Sequence, residues 1–359
     1  MSAAPPPPRK GRGASYNPDN RFAPTRVAVE DDGWPGDDED LPPLKTVVTV
    51  QDAKSALRRN TSPDVPFSQS VNPYQGCEHG CVYCFARPTH AYLELSPGLD
   101  FETRLFAKGN AAALLRRELG KAGYVPEVIA LGANTDPWQP IERDLKITRQ
   151  ILELLVECRH PVGIVTKSYA IVRDIDLLAE LAKDDLVHVM ISVTTLDHDL
   201  ARRMEPRAAS PTRRLEAIEK LAGAGIPVGV LAAPMIPALN DHELEKILEA
   251  CAGRGAVNAG YVLLRLPLEI HELFETWLAE HYPLKADHVM SLVRQMHDGQ
   301  VYRSEFGTRM RGSGQFAALL AQRFALACRK FRLNGNERNR ALRTDLFRPP
   351  RQDGQLDLF

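Results

Sequence analysis

Five short apolar runs rich in β-branched residues, at 128–132, 162–166, 187–193, 228–233 and 261–264, begin 25 to 41 residues apart. Amphipathic helical patterns fill the intervals. Leu145, Ile147, Ile151, Leu152, Leu154 and Leu155 line one face of the first, and Leu177, Leu178 and Leu181 one face of the second. Ser210-Pro211 has the chemistry of an N-cap followed by a first helical residue, opening a helix with Leu215, Ile218 and Leu221 that Gly223 and Gly225 stop. Asp241 is expected to cap the next helix, which carries Leu244, Ile247 and Leu248 and ends at Gly253. This spacing is the length of one βα unit, so successive strands run parallel through right-handed crossovers. A further strand near residues 70–74 makes six. No reversal signal interrupts them, which favours an α/β fold of the partial (β/α)6 barrel kind over a doubly wound sheet. Chemistry then belongs at the C-terminal strand ends.

At 359 residues the chain accommodates one such domain with tails. Residues 1–45 carry the proline run Pro5 to Pro8 and the acidic run Asp37, Asp38, Glu39 and Asp40 without periodicity, and are expected to form a disordered arm. The barrel is expected over 46–267, a helical C-terminal extension over 268–332 and a basic tail over 333–359. Charges nearly cancel, 45 basic against 46 acidic, so no global field directs the chain to a polyanion or a membrane. No apolar run approaches the length of about 18 residues that a membrane span needs, and the first residues lack a signal-peptide core. A cytoplasmic monomer with no membrane partner is expected.

Six cysteines stand at 77, 81, 84, 158, 251 and 328. A disulfide framework does not suit a large cytosolic chain. Cys77, Cys81 and Cys84 form a C-x3-C-x2-C loop, and thiolates at this spacing can meet on one corner of a cubane-sized object, with Gly76 and Gly80 letting the backbone wrap it. A [4Fe–4S] cluster usually takes four cysteines, so three leave one iron open as a Lewis-acidic anchor for a chelating molecule. The alternative is structural zinc with His79 or His90 as fourth ligand, although no second half of a zinc motif is present. Otherwise His79 is expected to face solvent or a backbone acceptor. Arg87 and His90, just beyond the loop, either approach a substrate or cap the next helix.

The loop follows the first barrel strand and has Tyr83 before its last cysteine. In this it resembles the radical S-adenosylmethionine (SAM) superfamily, over about residues 46–330. The resemblance implies a [4Fe–4S] cluster on Cys77, Cys81 and Cys84, with SAM bound at the open iron. One-electron reduction then cleaves SAM to a 5′-deoxyadenosyl radical that abstracts hydrogen. Within the superfamily the strand exits look most like the spore photoproduct lyase branch, often called DNA repair photolyases. The matching segments are the turn Thr135-Asp136, the exit Thr166-Lys167, Ser192 in the fourth strand, Glu205-Pro206, and Ala233-Pro234-Met235. The resemblance implies that Thr135 and Asp136 meet the methionine end of SAM, Lys167 its carboxylate, Ser192 its ribose, and Ala233 with Tyr83 its adenine. A zwitterion joined to a ribose does ask for a cation, a carboxylate and a hydroxyl. One position departs: that branch has a hydrogen-donating cysteine just before the strand-two turn, where this chain has Asn134. Cys158 and Cys251 precede strands three and six at the opposite end of the barrel, and Cys328 is expected in the core. The reaction class transfers, the substrate does not, and no catalytic side chain is assigned.

Between 303 and 351 stand twelve basic residues, eleven of them arginine, and three acidic ones. Arginine suits bidentate phosphate contacts, so this region is expected to be an electrostatic footprint for nucleic acid, DNA first. The chain ends Gln355-Leu356-Asp357-Leu358-Phe359, which resembles the peptide by which bacterial polymerases and repair proteins dock on the sliding clamp. That resemblance puts Leu356, Leu358 and Phe359 in an apolar pocket and has Gln355 set the orientation. The expected protein is a radical SAM enzyme, lyase-like, acting on DNA. Radical modification of RNA or protein, and a non-catalytic metal-bearing DNA or clamp adaptor, are the alternatives.

Overall fold

The structure, a computed structural model, describes residues 9–22, 44–335 and 341–351. Strands β1 (Val47–Gln51), β2 (Leu57–Arg59), β3 (Gln69–Val71), β4 (Tyr74–Gln75) and β5 (Arg104–Lys108) come first along the chain. They are followed by β6 (Ile129–Leu131), β7 (Val162–Thr166), β8 (Val187–Ser192), β9 (Val228–Met235) and β10 (Asn258–Leu263). One sheet runs β10-β9-β8-β7-β6-β3-β2. Its members β3 and β6 to β10 are parallel neighbours, while β2 is antiparallel to β3 at the edge. These six parallel strands in chain order are the partial barrel that the repeat predicts. Edges β2 and β10 do not pair, so the sheet stays open on that side.

The helices bury the stripes that the periodicity picks out. Ile147, Ile151, Leu152, Leu154 and Leu155 of Ile147–Glu157 are buried, as are Leu178 and Leu181 of Ile175–Ala182. Each such side chain contributes about 1.5–3 kcal/mol when removed from water. Ser210 caps Pro211–Gly223 by accepting from the Arg213 amide. Asp241 does not cap the following helix. It opens a 3-10 turn, Asp241–Glu243, ahead of Leu244–Ala252, and the side chain of the preceding Asn240 instead bonds the Ile236 amide and the Thr194 and Pro234 carbonyls. A small sheet, β1-β5-β4, lies outside the expected pattern. Its strand β1 is almost wholly exposed, so no apolar alternation announces it.

The disordered-arm reading does not hold for residues 9–22. The Gly13 and Ala14 amides each donate to the Glu102 carboxylate at 2.9 Å, and Arg12 reaches the Glu102 and Leu44 carbonyls. Asn20 bonds the Ala91 and Leu95 carbonyls, and Ser96 donates to the Pro18 carbonyl. Polar contacts with distant backbone order this strap, and a scan for apolar periodicity is blind to them. The acidic run lies outside the described residues.

Helices Ile270–His281, Ala286–Gln295 and Gly314–Lys330 follow the barrel. Among the described residues no helix is long and apolar enough to cross a membrane. Residues 341–351 then cross the N-terminal strand ends: the Arg343 amide donates to the Asp185 carbonyl, Arg348 to that of Cys158, and Phe347 packs on the rings of Tyr124 and His160. The basic region is therefore not one footprint. Arg303, Arg309, Arg323 and Arg343 are each committed to a carboxylate, and the described end of the tail lies opposite the face where the cysteine loop sits.

Candidate active site

The cysteine loop leaves β4 at the C-terminal ends of the barrel strands. Gly76 (φ +76°) and Gly80 (φ +68°) take the left-handed conformation that the tight wrap requires. A Cβ on Gly80 would stand 2.6 Å from the Glu102 carboxylate, and one on Gly76 2.7 Å from Leu105. Arg87 holds the loop from beneath. Fully buried, it donates to the carbonyls of Cys81 (2.8 Å), Gly80 (3.1 Å), Pro97 (3.1 Å) and Gly98 (2.9 Å), and pairs with Glu102. All five guanidinium hydrogens are used. Arg87 thus neither approaches a substrate nor caps a helix, and His90 is likewise buried, with Nε2 against the Arg104 carbonyl. From the other flank Gln139 donates to the Gly76 carbonyl and accepts from the Glu78 amide.

Cys77 and Cys81 are buried and Cys84 half-buried. Burial, then Asp136 and the two sister thiols, push the Cys77 thiol well above its ordinary pKa. Burial and then Glu205 raise Cys81. The thiols lie within electrostatic reach of one another, yet among the described residues no three His, Cys, Asp or Glu side chains converge tightly enough to hold a single ion. Three thiols on one short loop are the donor set that a [4Fe–4S] cluster takes when one iron is left open. A cationic centre would also hold as thiolates groups that burial otherwise keeps protonated. His79 does not face solvent. It is buried with Nδ1 3.4 Å from Asp136, and burial lowers its pKa.

The strand-exit residues gather around this loop in two states of engagement. Asp136 is committed: its carboxylate accepts from Thr166 Oγ1, the Lys167 amide (2.7 Å) and the Trp138 amide, bracing the exit of β7. Thr135, buried, donates to the Tyr74 carbonyl. Ser192 donates to the Ala233 carbonyl. Lys167 differs. Its ammonium stands 5.8 Å above the Tyr83 ring, with no carboxylate within ion-pair distance among the described residues.

A second buried scaffold passes unnoticed in the sequence. The Tyr83 hydroxyl donates to Glu205, which also accepts from Thr194 and pairs with buried Arg214. Arg214 donates to the Ser192 carbonyl (3.1 Å), and Val82 is bonded to the Met204 carbonyl. Burial raises the Glu205 pKa against the pull of Arg214. Glu205-Pro206 is conspicuous in the sequence, but nothing in its spacing announces that Glu205 ties Tyr83 to the exit of β8. The sequence-singled residues Tyr83, Asp136, Lys167, Ser192 and Ala233 are thus brought to the cysteine loop. Gln355, Leu356, Leu358 and Phe359 lie outside the described residues. A cavity of about 370 Å³, lined by Asp185, His188, Pro227 and Leu342 among others, opens at the opposite strand ends and has no thiol in its walls.

Similarity to known proteins agrees with this geometry. The described fold is like that of spore photoproduct lyase complexed with dinucleoside spore photoproduct (TM-score 0.57, 14% identity, 79% of both chains). It is equally like a spore photoproduct lyase variant with bound AdoMet and the same dinucleoside (TM-score 0.57, 15% identity, 79% of both chains). In sequence the chain is 34% identical to the uncharacterized protein Rv2578c of Mycobacterium tuberculosis, over 87% of this chain and 94% of that one. A Methanocaldococcus jannaschii protein, uncharacterized protein MJ0683, is 28% identical over 48% of this chain and 62% of its own length. Residues 71–251, from the first barrel strand to the helix before β10, match the Radical SAM superfamily, and the chain belongs to that family of enzymes, which use a [4Fe–4S] cluster and SAM.

Proposed function

We propose that this radical SAM enzyme holds its cluster on Cys77, Cys81 and Cys84, holds SAM against Lys167 and Tyr83, and acts on DNA. The observation that carries the reading is the pairing of a three-thiol loop with an unengaged cation, Lys167, at the same strand ends. When bound, the cluster supplies the electron and the open iron site for one-electron cleavage of SAM. The chain's own groups bind, orient and exclude water. Lys167 takes the SAM carboxylate, in a charge-assisted contact that Asp136 prepares by fixing the Lys167 amide. Tyr83, pinned through its hydroxyl to Glu205, and Ala233 flank the adenine. Ser192 retains lone pairs for the ribose after donating to Ala233. Thr135 holds the turn that carries Asp136.

DNA as substrate is supported by likeness of fold to enzymes solved with a dinucleoside lesion. The terminal Gln355, Leu356, Leu358 and Phe359 would bring the enzyme to DNA through the sliding clamp. Asn134 at the hydrogen-donor position separates the chemistry from spore photoproduct repair. The test is anaerobic reconstitution with dithionite, SAM and deuterated DNA. Deuterium in 5′-deoxyadenosine is expected. Label arriving from RNA or protein but not from DNA would move the substrate to that class, and no 5′-deoxyadenosine at all would end the reading.

A further inference from the structure

A second cation at the chemical face has no established task. Arg265 follows β10, the strand at the open edge of the barrel, and the Leu264 amide before it still pairs with the Met235 carbonyl of β9. Its guanidinium lies 5.2 Å above the ring of Phe85. Phe85 directly follows Cys84 and is 46% exposed as a residue. The Nε–H of Arg265 is buried without a hydrogen-bond partner, and no carboxylate lies within ion-pair distance among the described residues. The carboxylate that feels its charge, Asp64, is taken already, by the Gly307 amide and Arg309. Arg87 and Arg214, by contrast, have a carboxylate each and carbonyls bonded to their Nε–H and to further hydrogens.

An arginine held over an aromatic face, with one N–H buried and without a partner, is preorganised for an acceptor that arrives from outside. The acceptor is anionic, because a neutral one would leave the guanidinium charge uncompensated in a half-dry site. SAM has one carboxylate, and Lys167 over Tyr83 is placed to take it. Arg265 stands over the other aromatic flanking Cys84. We infer that Arg265 and Phe85 form a substrate subsite at the open edge of the barrel, with the guanidinium forked on a backbone phosphodiester and the Phe85 ring stacking a neighbouring base. This inference rests on the nucleic-acid reading above.

The experiment measures binding of a fluorescent DNA 20-mer and, separately, of SAM to the full-length reconstituted enzyme and to its Arg265→Ala, Arg265→Lys and Phe85→Leu variants. Arg265→Ala is expected to weaken DNA binding about tenfold and to lower the salt-dependence slope by about one. Arg265→Lys should keep the slope and lose part of the affinity, since an ammonium cannot fork. Phe85→Leu should weaken binding with the slope intact. SAM affinity should stay within about twofold of the parent in all three. Arg265→Ala with unchanged DNA affinity and slope, beside a wild type that binds DNA, overturns the subsite alone. A loss of SAM affinity reassigns Arg265 to the cofactor and also overturns it. A wild type that binds no DNA overturns the subsite together with the substrate reading. Should Arg265→Ala fail to hold its cluster absorbance, Arg265→Lys carries the same comparison.

Discussion

The two ends of the barrel treat charge in opposite ways. At the N-terminal strand ends a buried histidine is closed off by neutral partners. His160, fully buried, sets Nδ1 3.0 Å from the Pro161 carbonyl and Nε2 2.8 Å from the Tyr124 hydroxyl, and the segment carrying Phe347 covers the pair. At the C-terminal ends the charges fall into two layers. Arg87 with Glu102, and Arg214 with Glu205, are buried and paired beneath the cysteine loop and Tyr83. Lys167 and Arg265 above them have aromatic rings for support and no carboxylate partner among the described residues. Paired charges hold shape, and on the reading proposed above the unpaired ones take a ligand. The difference would separate a stability role from a binding role at residues that look alike in sequence.

The largest effect should come from the loop itself. Cys77→Ala, Cys81→Ala or Cys84→Ala should abolish the visible absorbance of the reconstituted protein and its inorganic sulfide. Cys158, Cys251 and Cys328 sit on helices or at a helix end away from the loop. Their alanine variants should retain both signals. A sulfide-free protein that binds one zinc after anaerobic expression would contradict the cluster reading.

Next are the paired charges. Removing one partner of a buried pair strands the other, at a cost of about 3–5 kcal/mol. Arg87→Leu or Glu102→Leu should therefore lower the denaturation midpoint of the cluster-free protein sharply, and the double variant less than the sum of the two. Additive losses would show that the pair is not the unit holding the loop. The strap gives a milder version. A Cβ on Gly13 would fall 1.8 Å from the Gly80 carbonyl, so Gly13→Ala should speed cluster loss in air while leaving the barrel's circular dichroism unchanged.

The sequence makes the barrel legible because its strands and helices are specified by repeated apolar side chains, each reporting its own burial. Val162–Thr166 emerges with the expected bounds. The cysteine loop is legible for a different reason: three reactive side chains and two enabling glycines lie within nine residues. What holds that loop is not legible. Glu102, Gln139 and Glu205 are ordinary polar residues in the one-dimensional chain, and only folding sets them beside Gly80, Gly76 and Tyr83. The strap of residues 9–22 is hidden for the same reason, since backbone amides do its bonding.

The closed end of the barrel predicts a pH effect. Burial lowers the pKa of His160 to about 4. A histidine whose folded pKa is depressed contributes stability that is fully present above its unfolded value near 6.5. That contribution is lost as pH falls from about 6.5 toward 4, amounting to about 3 kcal/mol over the window. Urea titrations at pH 7 and pH 4.5 should show the parent losing more stability than His160→Gln. Equal losses would mean that other groups dominate the acid limb.

At the open layer the expected effect is smaller in energy but specific. Lys167→Ala removes a charge-assisted contact worth about 1.5–3 kcal/mol, so SAM affinity should fall about tenfold to a hundredfold with the cluster spectrum unchanged. The paired layer does not compensate, because Arg214 is held by Glu205 and by the Ser192 and Ala209 carbonyls. Unchanged SAM binding would mean that another group takes the carboxylate and that Lys167 belongs with the substrate contacts.

The smallest effect expected at the chemical face is from deleting Gln355 to Phe359. Residue 351 is tied beside Glu157 at the closed end of the barrel. The chain from there to 359 extends by at most about 3.5 Å per residue. If Gln355 to Phe359 dock on a clamp, the docking does not call on the thiol loop, Lys167 or Arg265. The deletion should abolish co-elution with purified sliding clamp, at micromolar protein, while SAM affinity and free-DNA affinity stay at parental values. Leu358→Ala with Phe359→Ala should do the same, because short docking peptides concentrate their energy in apolar anchors. Retained clamp binding would remove the docking role. A fall in free-DNA affinity would show that the tail reaches the open end after all, erasing the division of labour between the two ends of the barrel.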